Sequence, residues 1–268
     1  LKRKAAAKHE TEIIGLLRQA AHKPVFVPVK NAEVKKELGW SASWTHGFLT
    51  QHLIYAADER LRYHEPMEAA ALLIDALRLA RLMDAAPGWW NWNSHCSVVV
   101  AAWNGLEKVL ASGVKLPPEM VAELRDLSAE ETEIAFAESA IPRSLMEQVH
   151  YMDEFKGRSE VSGIWRVLAL MQKYNPSTLR GKRDTINEAV RAHGYLVSIQ
   201  RGQWPESVVD IKNEGFASMA IGQLGDVLAR QRQARVALAM IERRQRGETA
   251  EALDQLGFSA SDLQHPLT

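Results

Sequence analysis

The side chains best suited to binding chemistry lie together in residues 87–96, which read PGWWNWNSHC. Three of the eight tryptophans in the chain fall here, beside asparagine, serine, histidine and the single cysteine. Aromatic rings stack on sugar faces or bases, while amide and imidazole groups hydrogen-bond to hydroxyls. The stretch therefore suggests a loop that binds a carbohydrate or another small polar ligand. The candidate ligand-binding residues are Trp89, Trp90, Trp92, Asn93 and His95.

The same residues also suit a structural corner between two helices. A tryptophan can cover the open end of a helical layer, and Asn93 or Ser94 can cap the helix that follows. The flanking segments are among the most apolar of the chain, which favours a structural clamp over a ligand site. A turn this short cannot direct all three indoles inward, so an exposed ring is the first residue to examine for a ligand.

Other constellations that carry chemistry are incomplete. Glu147 and His150 form an E-x-x-H motif on one helix face, but the sequence has no second such motif to complete a di-iron site. Cys96 has no base nearby in sequence and is interpreted as a small buried residue. Because G-x-S-x-G and glycine-rich phosphate loops are also missing from the sequence, we predict no metal, no cofactor and no catalytic motif.

A late segment, RQRQARVALAMIERRQRG, is basic enough to raise the question of nucleic-acid binding. Apolar residues separate its two arginine clusters, and long basic side chains on helices are commonly just solvated. We therefore interpret it as a weak nucleic-acid signal. Its arginines are Arg230, Arg232, Arg235, Arg243, Arg244 and Arg246.

Composition limits the class of protein. The chain has 268 residues and 46% apolar content, enough for a self-sustaining core. Lys plus Arg and Asp plus Glu both total 33, so no net field draws it to polyanions. One cysteine excludes an intramolecular disulfide. No apolar run approaches the ~20 residues that span a bilayer, although the basic start LKRK is one that could follow a removed signal or anchor.

The apolar residues recur at helical spacing almost throughout, so the fold should be all-α. Helix starts near 42, 66, 92 and 117 are separated by roughly 25 residues. This spacing predicts about ten helices in antiparallel hairpins, stacked as an irregular α-solenoid or helical array.

The elements follow from proline, glycine and capping signals. The first helix should bury Ile13, Leu16, Leu17 and Ala20, and the second should bury Trp44, Phe48, Ile54 and Tyr55. Gly113 should end a core helix in a left-handed conformation, and Ser128 with Glu131 should form a capping box.

We predict a single domain over 1–268. It comprises an N-terminal helix and extended connector at 1–40, a helical array at 41–246, and a short helix and tail at 247–268.

Two segments resemble uncharacterised bacterial helical proteins of the cell envelope. In 71–110, a leucine- and alanine-rich "LRLAR" helix leads through a proline turn to a helix ending in LEKVL. In 234–268, an alanine-rich helix, a glycine turn, the short ALDQL helix and the ending HPLT are similar to a pseudopilin-like tail. The resemblance implies an exported or membrane-anchored helical protein and carries no catalytic residues.

Two functions are therefore expected. The first is a non-enzymatic helical scaffold or binding protein of the bacterial cell envelope, whose partner is another protein or a small polar ligand. The alternative is a carbohydrate-active or other small-molecule enzyme using loop 87–96, with Asp84 or a histidine as acid–base group.

Overall fold

The computed structural model describes residues 2–23, 41–82, 89–141, 179–201, 203, 216–248 and 254–259. These residues form helices and turns without a strand, so the all-α prediction is confirmed for this part of the chain. Residues 130–141 are also helical. The other helices are α1 (Lys2–Ala21), α2 (Ser41–Arg62), α3 (Pro66–Leu82), α4 (Trp89–Ala111), α5 (Pro118–Leu127), α6 (Leu179–Gln200), α7 (Phe216–Gln245) and the 3₁₀ turn η1 (Asp254–Leu256).

Proline and glycine set several helix ends, as the sequence predicted. Pro66 and Pro118 are the first residues of α3 and α5, where proline loses no intrahelical hydrogen bond. Gly113 follows α4 at φ 78°, the left-handed conformation that glycine adopts without strain. Three of the four predicted starts lie within one residue of the observed ones, and proline marks two of these three.

The fourth start and one cap differ from the predictions. α4 begins at Trp89, about three residues before the predicted start, so Trp92 and His95 lie within a helix and not in a loop. Ser128 does not open a helix through a capping box. Its hydroxyl and its backbone N–H both donate to the carbonyl of Arg125, and so they close α5.

The helices pack in adjacent pairs around α3 and α4. α2, α3 and α4 contact one another, α1 lies on α3, and α7 lies against α4, α5 and α6. The sequence of α3 explains its central place, because alanine and leucine fill most of it and both favour helix. The apolar arc of this helix is wide, and it is covered from several sides by α1, α2, α4 and α5.

The buried faces of α1 and α2 match the predicted ones only in part. Ile13 and Leu16 are exposed, whereas Leu17 and Ala20 pack against the core as predicted, together with Ile14. In α2 the side chains of Phe48 and Tyr55 are 61% and 65% exposed. In residues 47–62, the part of α2 whose burial the structure describes, the buried residues are Gly47, Thr50, Leu53, Ala56 and Ala57. The side chain of Trp44 lies outside the described residues. Small residues bring α2 close to its neighbours, and this advantage outweighs the larger apolar area of the aromatic rings.

A buried carboxylate links three helices at the other side of α3. Asp75 is 2% exposed and accepts hydrogen bonds from Arg18 of α1 at 3.1 Å and from Arg78 at 2.7 Å. Arg78 also donates to Glu123 of α5. Burying Asp75 is tolerated because two guanidinium groups replace its lost hydration.

The predicted single domain and its layout stay predictions. The connector up to residue 40 and the tail after 259 lie outside the described residues, as does the E-x-x-H motif of Glu147 and His150.

Candidate functional site

His95, in the first half of α4, forms a buried acid–base pair with Glu133 of the helical segment 130–141. His95 is 1% exposed and lies between α3, α7 and the helical segment 130–141. Its Nδ1 is 3.0 Å from the carbonyl oxygen of Ala80, and its Nε2 is 2.5 Å from Oε2 of Glu133. A carbonyl oxygen only accepts hydrogen bonds, so Nδ1 carries a proton.

Glu133 is ionised in this arrangement. Burial raises its pKa, but attraction to His95, a hydrogen bond from His95 and the nearby Arg81 outweigh that effect and bring the pKa below 4.5. Gln231 of α7 donates a further hydrogen bond to Oε1 at 3.0 Å. With Glu133 anionic, Nε2 also carries a proton, so His95 is an imidazolium that donates from both nitrogens.

Aromatic rings close this acid–base pair off from solvent. Trp92 is fully buried, and its indole lies 6.2 Å from the His95 ring and 5.5 Å from the Phe136 ring, measured between centroids. Phe136 meets His95 edge-on at 4.7 Å. We call Trp92, His95, Glu133, Phe136 and Gln231 the sealed cluster.

The neighbouring polar residues of α4 are also engaged within the protein. Asn93 accepts a hydrogen bond from Gln223 of α7 at 2.7 Å. Ser94 faces Gly47 of α2 so closely that a Cβ added to Gly47 would lie 2.6 Å from the Ser94 Cβ. Cys96 is buried, and burial together with the Glu133 carboxylate raises the pKa of its thiol well above 9.0. The cysteine is therefore an unreactive core residue, as the sequence interpretation had it.

The candidate residues from the sequence thus occupy one helix but not one accessible surface. Trp92 and His95 face the interior, and Asn93 contacts α7. The side chains of Trp89 and Trp90 lie outside the described residues, as does Asp84. A ligand site formed by Trp89 and Trp90 stays a prediction.

The second half of α4 borders an open cavity of about 340 Å³. Its polar lining residues, Glu107, Arg230 and Gln233, lie at the mouth, where Glu107 and Gln233 are exposed. The remaining lining residues are apolar and come from α4, α5 and α7. They are Trp103, Leu106, Leu110, Leu124, Ala234, Ala237 and Leu238. We call this cavity the α4–α5–α7 groove.

The groove has the features of a small-molecule site. Its volume falls within the roughly 300–1,000 Å³ that is usual for ligand pockets, and its floor is aromatic and aliphatic with a few polar groups at one end. It has no paired acid and base, since Glu107 and Arg230 are 3.9 Å apart and face solvent. The arrangement can bind an apolar group but offers no proton-transfer chemistry.

Sequence reasoning missed the groove because its parts are far apart in the chain. Trp103 lies in the core helix that the sequence predicts to end at Gly113, but Leu124 and Ala237 are distant from it in sequence. One weak signal existed. Ala234 and Ala237, at helical spacing among larger residues of α7, leave room next to the tryptophan.

Four of the six late arginines lie beside two carboxylates that they share in pairs. Arg232 and Arg235 both bind Glu130, while Arg243 and Arg246 lie beside Glu248. This pairing lowers the positive field that phosphate binding requires.

The described residues contain no group of three or more side chains arranged to hold a metal ion. No helix among them is both long and apolar enough to cross a membrane.

Comparisons with protein-family models, curated proteins and solved structures gave no match.

Proposed function

We propose that this chain is a non-enzymatic binding protein, an irregular array of paired helices whose α4–α5–α7 groove takes a small ligand by an apolar group. The observation that carries the proposal is the groove itself, an open cavity floored by Trp103 and leucines. Apolar pockets of this size with a few polar groups at the edge are where proteins usually bind small ligands.

The architecture supports an array over a regular solenoid. In a solenoid each repeat contacts only its neighbours, whereas α7 returns to pack on α4 and α5. That return forms the third wall of the groove, since Ala234, Ala237 and Leu238 belong to α7.

The alternative, an enzyme that uses the tryptophan-rich stretch, has one argument in its favour, the His95–Glu133 pair. Its burial argues against catalysis, because a general acid or base must reach its substrate. A buried charge pair enclosed by Trp92 and Phe136 is better suited to fixing helix positions.

We also propose, from the resemblance, a location in the bacterial cell envelope, and, as a partner, another protein or a small polar ligand. The binding proposal does not depend on either of them.

The test is binding of N-phenyl-1-naphthylamine, a neutral dye whose fluorescence rises in apolar surroundings. The wild-type chain should bind it saturably, and Ala237→Phe should abolish binding because the new ring fills the groove. Val190→Phe is the matched control, since it adds the same ring at an exposed site on α6. Equal binding by wild type and Ala237→Phe would contradict the proposal.

A further inference from the structure

Arg230 stands at the mouth of the groove with most of its hydrogen-bonding capacity unused. Among the described residues, its guanidinium donates only to Gln233, from Nη1 at 3.0 Å. The nearest carboxylate, Glu107, is 3.9 Å from the same nitrogen and 77% exposed. A guanidinium has five N–H donors, so Arg230 has donors left to form two hydrogen bonds with a carboxylate.

The neighbouring arginine of α7 shows what a satisfied guanidinium looks like in this protein. Arg232 holds both oxygens of Glu130, at 3.1 and 3.0 Å, and is far less exposed. Arg230, two residues earlier, lines the groove and has no comparable partner among the described residues.

The charge and shape of the groove therefore favour a ligand with an apolar chain and an anionic end. The floor is apolar along Trp103, Leu124 and Leu238, and the only cation among the lining residues lies at one end. An aliphatic chain on the floor would place a terminal carboxylate beside Arg230, where two parallel N–H···O bonds can form.

We infer that the groove binds a medium-chain aliphatic carboxylate, with the chain against Trp103 and the carboxylate on Arg230. This inference rests on the proposed function. Glu107 opposes it by repulsion, but its exposed side chain can move toward solvent when the anion binds.

The test is displacement of N-phenyl-1-naphthylamine by decanoate and by its neutral analogue 1-decanol. Decanoate should displace the dye from wild type at a concentration about tenfold below that of 1-decanol. Arg230→Gln should raise the decanoate concentration needed by about tenfold and leave 1-decanol unchanged.

Two further variants make the outcome specific. Glu107→Gln should strengthen decanoate binding, because it removes the repulsion at the mouth. Arg244→Gln, at an exposed position of the same helix that does not line the groove, should change nothing. If Arg244→Gln weakens decanoate binding as much as Arg230→Gln, the attraction is general and the inference is wrong.

The two proposals fail in different ways. If the dye and 1-decanol bind in the groove but decanoate is not preferred, the carboxylate inference falls and the binding function stands. If Ala237→Phe leaves dye binding intact, both fall.

Discussion

The two halves of α4 each carry a tryptophan on the core side, but the surroundings of these two tryptophans differ. Trp92 is enclosed by His95 and Phe136, while Trp103, three turns later, borders an open groove. Both indoles are almost fully buried, so burial of the tryptophan does not separate them. What differs is what the neighbouring helices present: charged and aromatic groups at one end, and alanines that leave space at the other.

We interpret the first half of α4 as structural and the second half as the part that borders the binding groove. The sealed cluster fixes α4 against α7 and the segment 130–141, and the rigid frame keeps the groove open further along. A ligand site needs such a frame, because apolar walls without support would collapse onto each other.

The largest expected effect comes from breaking the sealed cluster at its charge. Glu133→Ala leaves the His95 imidazolium buried without a counter-ion and should lower the free energy of unfolding by about 3–5 kcal/mol. Glu131→Ala, at an exposed position in the same segment, is the control and should cost less than about 0.5 kcal/mol. Urea denaturation measures both. Similar losses for the two variants would show that the pair does not hold the helices together.

The next effect tests how tightly the sealed half is packed. Gly47→Ala should lower the free energy of unfolding by about 1–2 kcal/mol, since the new Cβ meets the Ser94 side chain at 2.6 Å. Gly222→Ala has no atom within 4 Å of the added methyl and should stabilise α7 by up to about 1 kcal/mol. If both substitutions stabilise the protein, α2 and α4 are less closely packed than described.

Volume added in the open half should be tolerated far better than in the core. Ala102→Leu, at a fully buried position of α4, should cost about 1–3 kcal/mol through overpacking. Ala237→Leu points into the groove and should change the free energy of unfolding by less than about 0.5 kcal/mol. Equal losses in urea denaturation would mean that the groove is already filled.

The smallest effect is a pH dependence that belongs to the sealed half alone. The pKa of Glu133 is lowered in the folded protein, so its contribution to stability is fully present above 4.5 and is lost as the pH falls through the lowered folded value. The stability gap between wild type and Glu133→Gln should therefore narrow in acid. The difference between the urea midpoints of the two proteins, measured at pH 7 and at successive steps below pH 4.5, reports this stability difference. A gap that stays constant would contradict an ionised Glu133.

Much of the helical framework could be predicted from the sequence because it depends on local signals. Pro66, Pro118 and Gly113 act on the backbone at their own positions, and the apolar spacing of α3 and α4 is visible in any window of residues. Errors arose where tertiary contact decides, as with Phe48 and Tyr55 on the outside of α2.

The candidate site was harder to predict for a physical reason. The composition of the tryptophan-rich stretch suits both a ligand loop and a clamp, and the partners that distinguish them, Glu133 and Gln231, are far away in sequence. The groove likewise depends on α7 returning to α4, which no local pattern encodes.

The most direct test of the contrast between the two halves follows the indole N–H signals of Trp92 and Trp103 by ¹⁵N–¹H NMR. Trp92→Phe and Trp103→Phe assign the two signals, and N-phenyl-1-naphthylamine is then titrated into the wild-type protein. We expect the Trp103 signal to shift in a saturable way while the Trp92 signal stays in place. A shift at Trp92 with none at Trp103 would contradict the account, because it would place the ligand site in the half described as sealed.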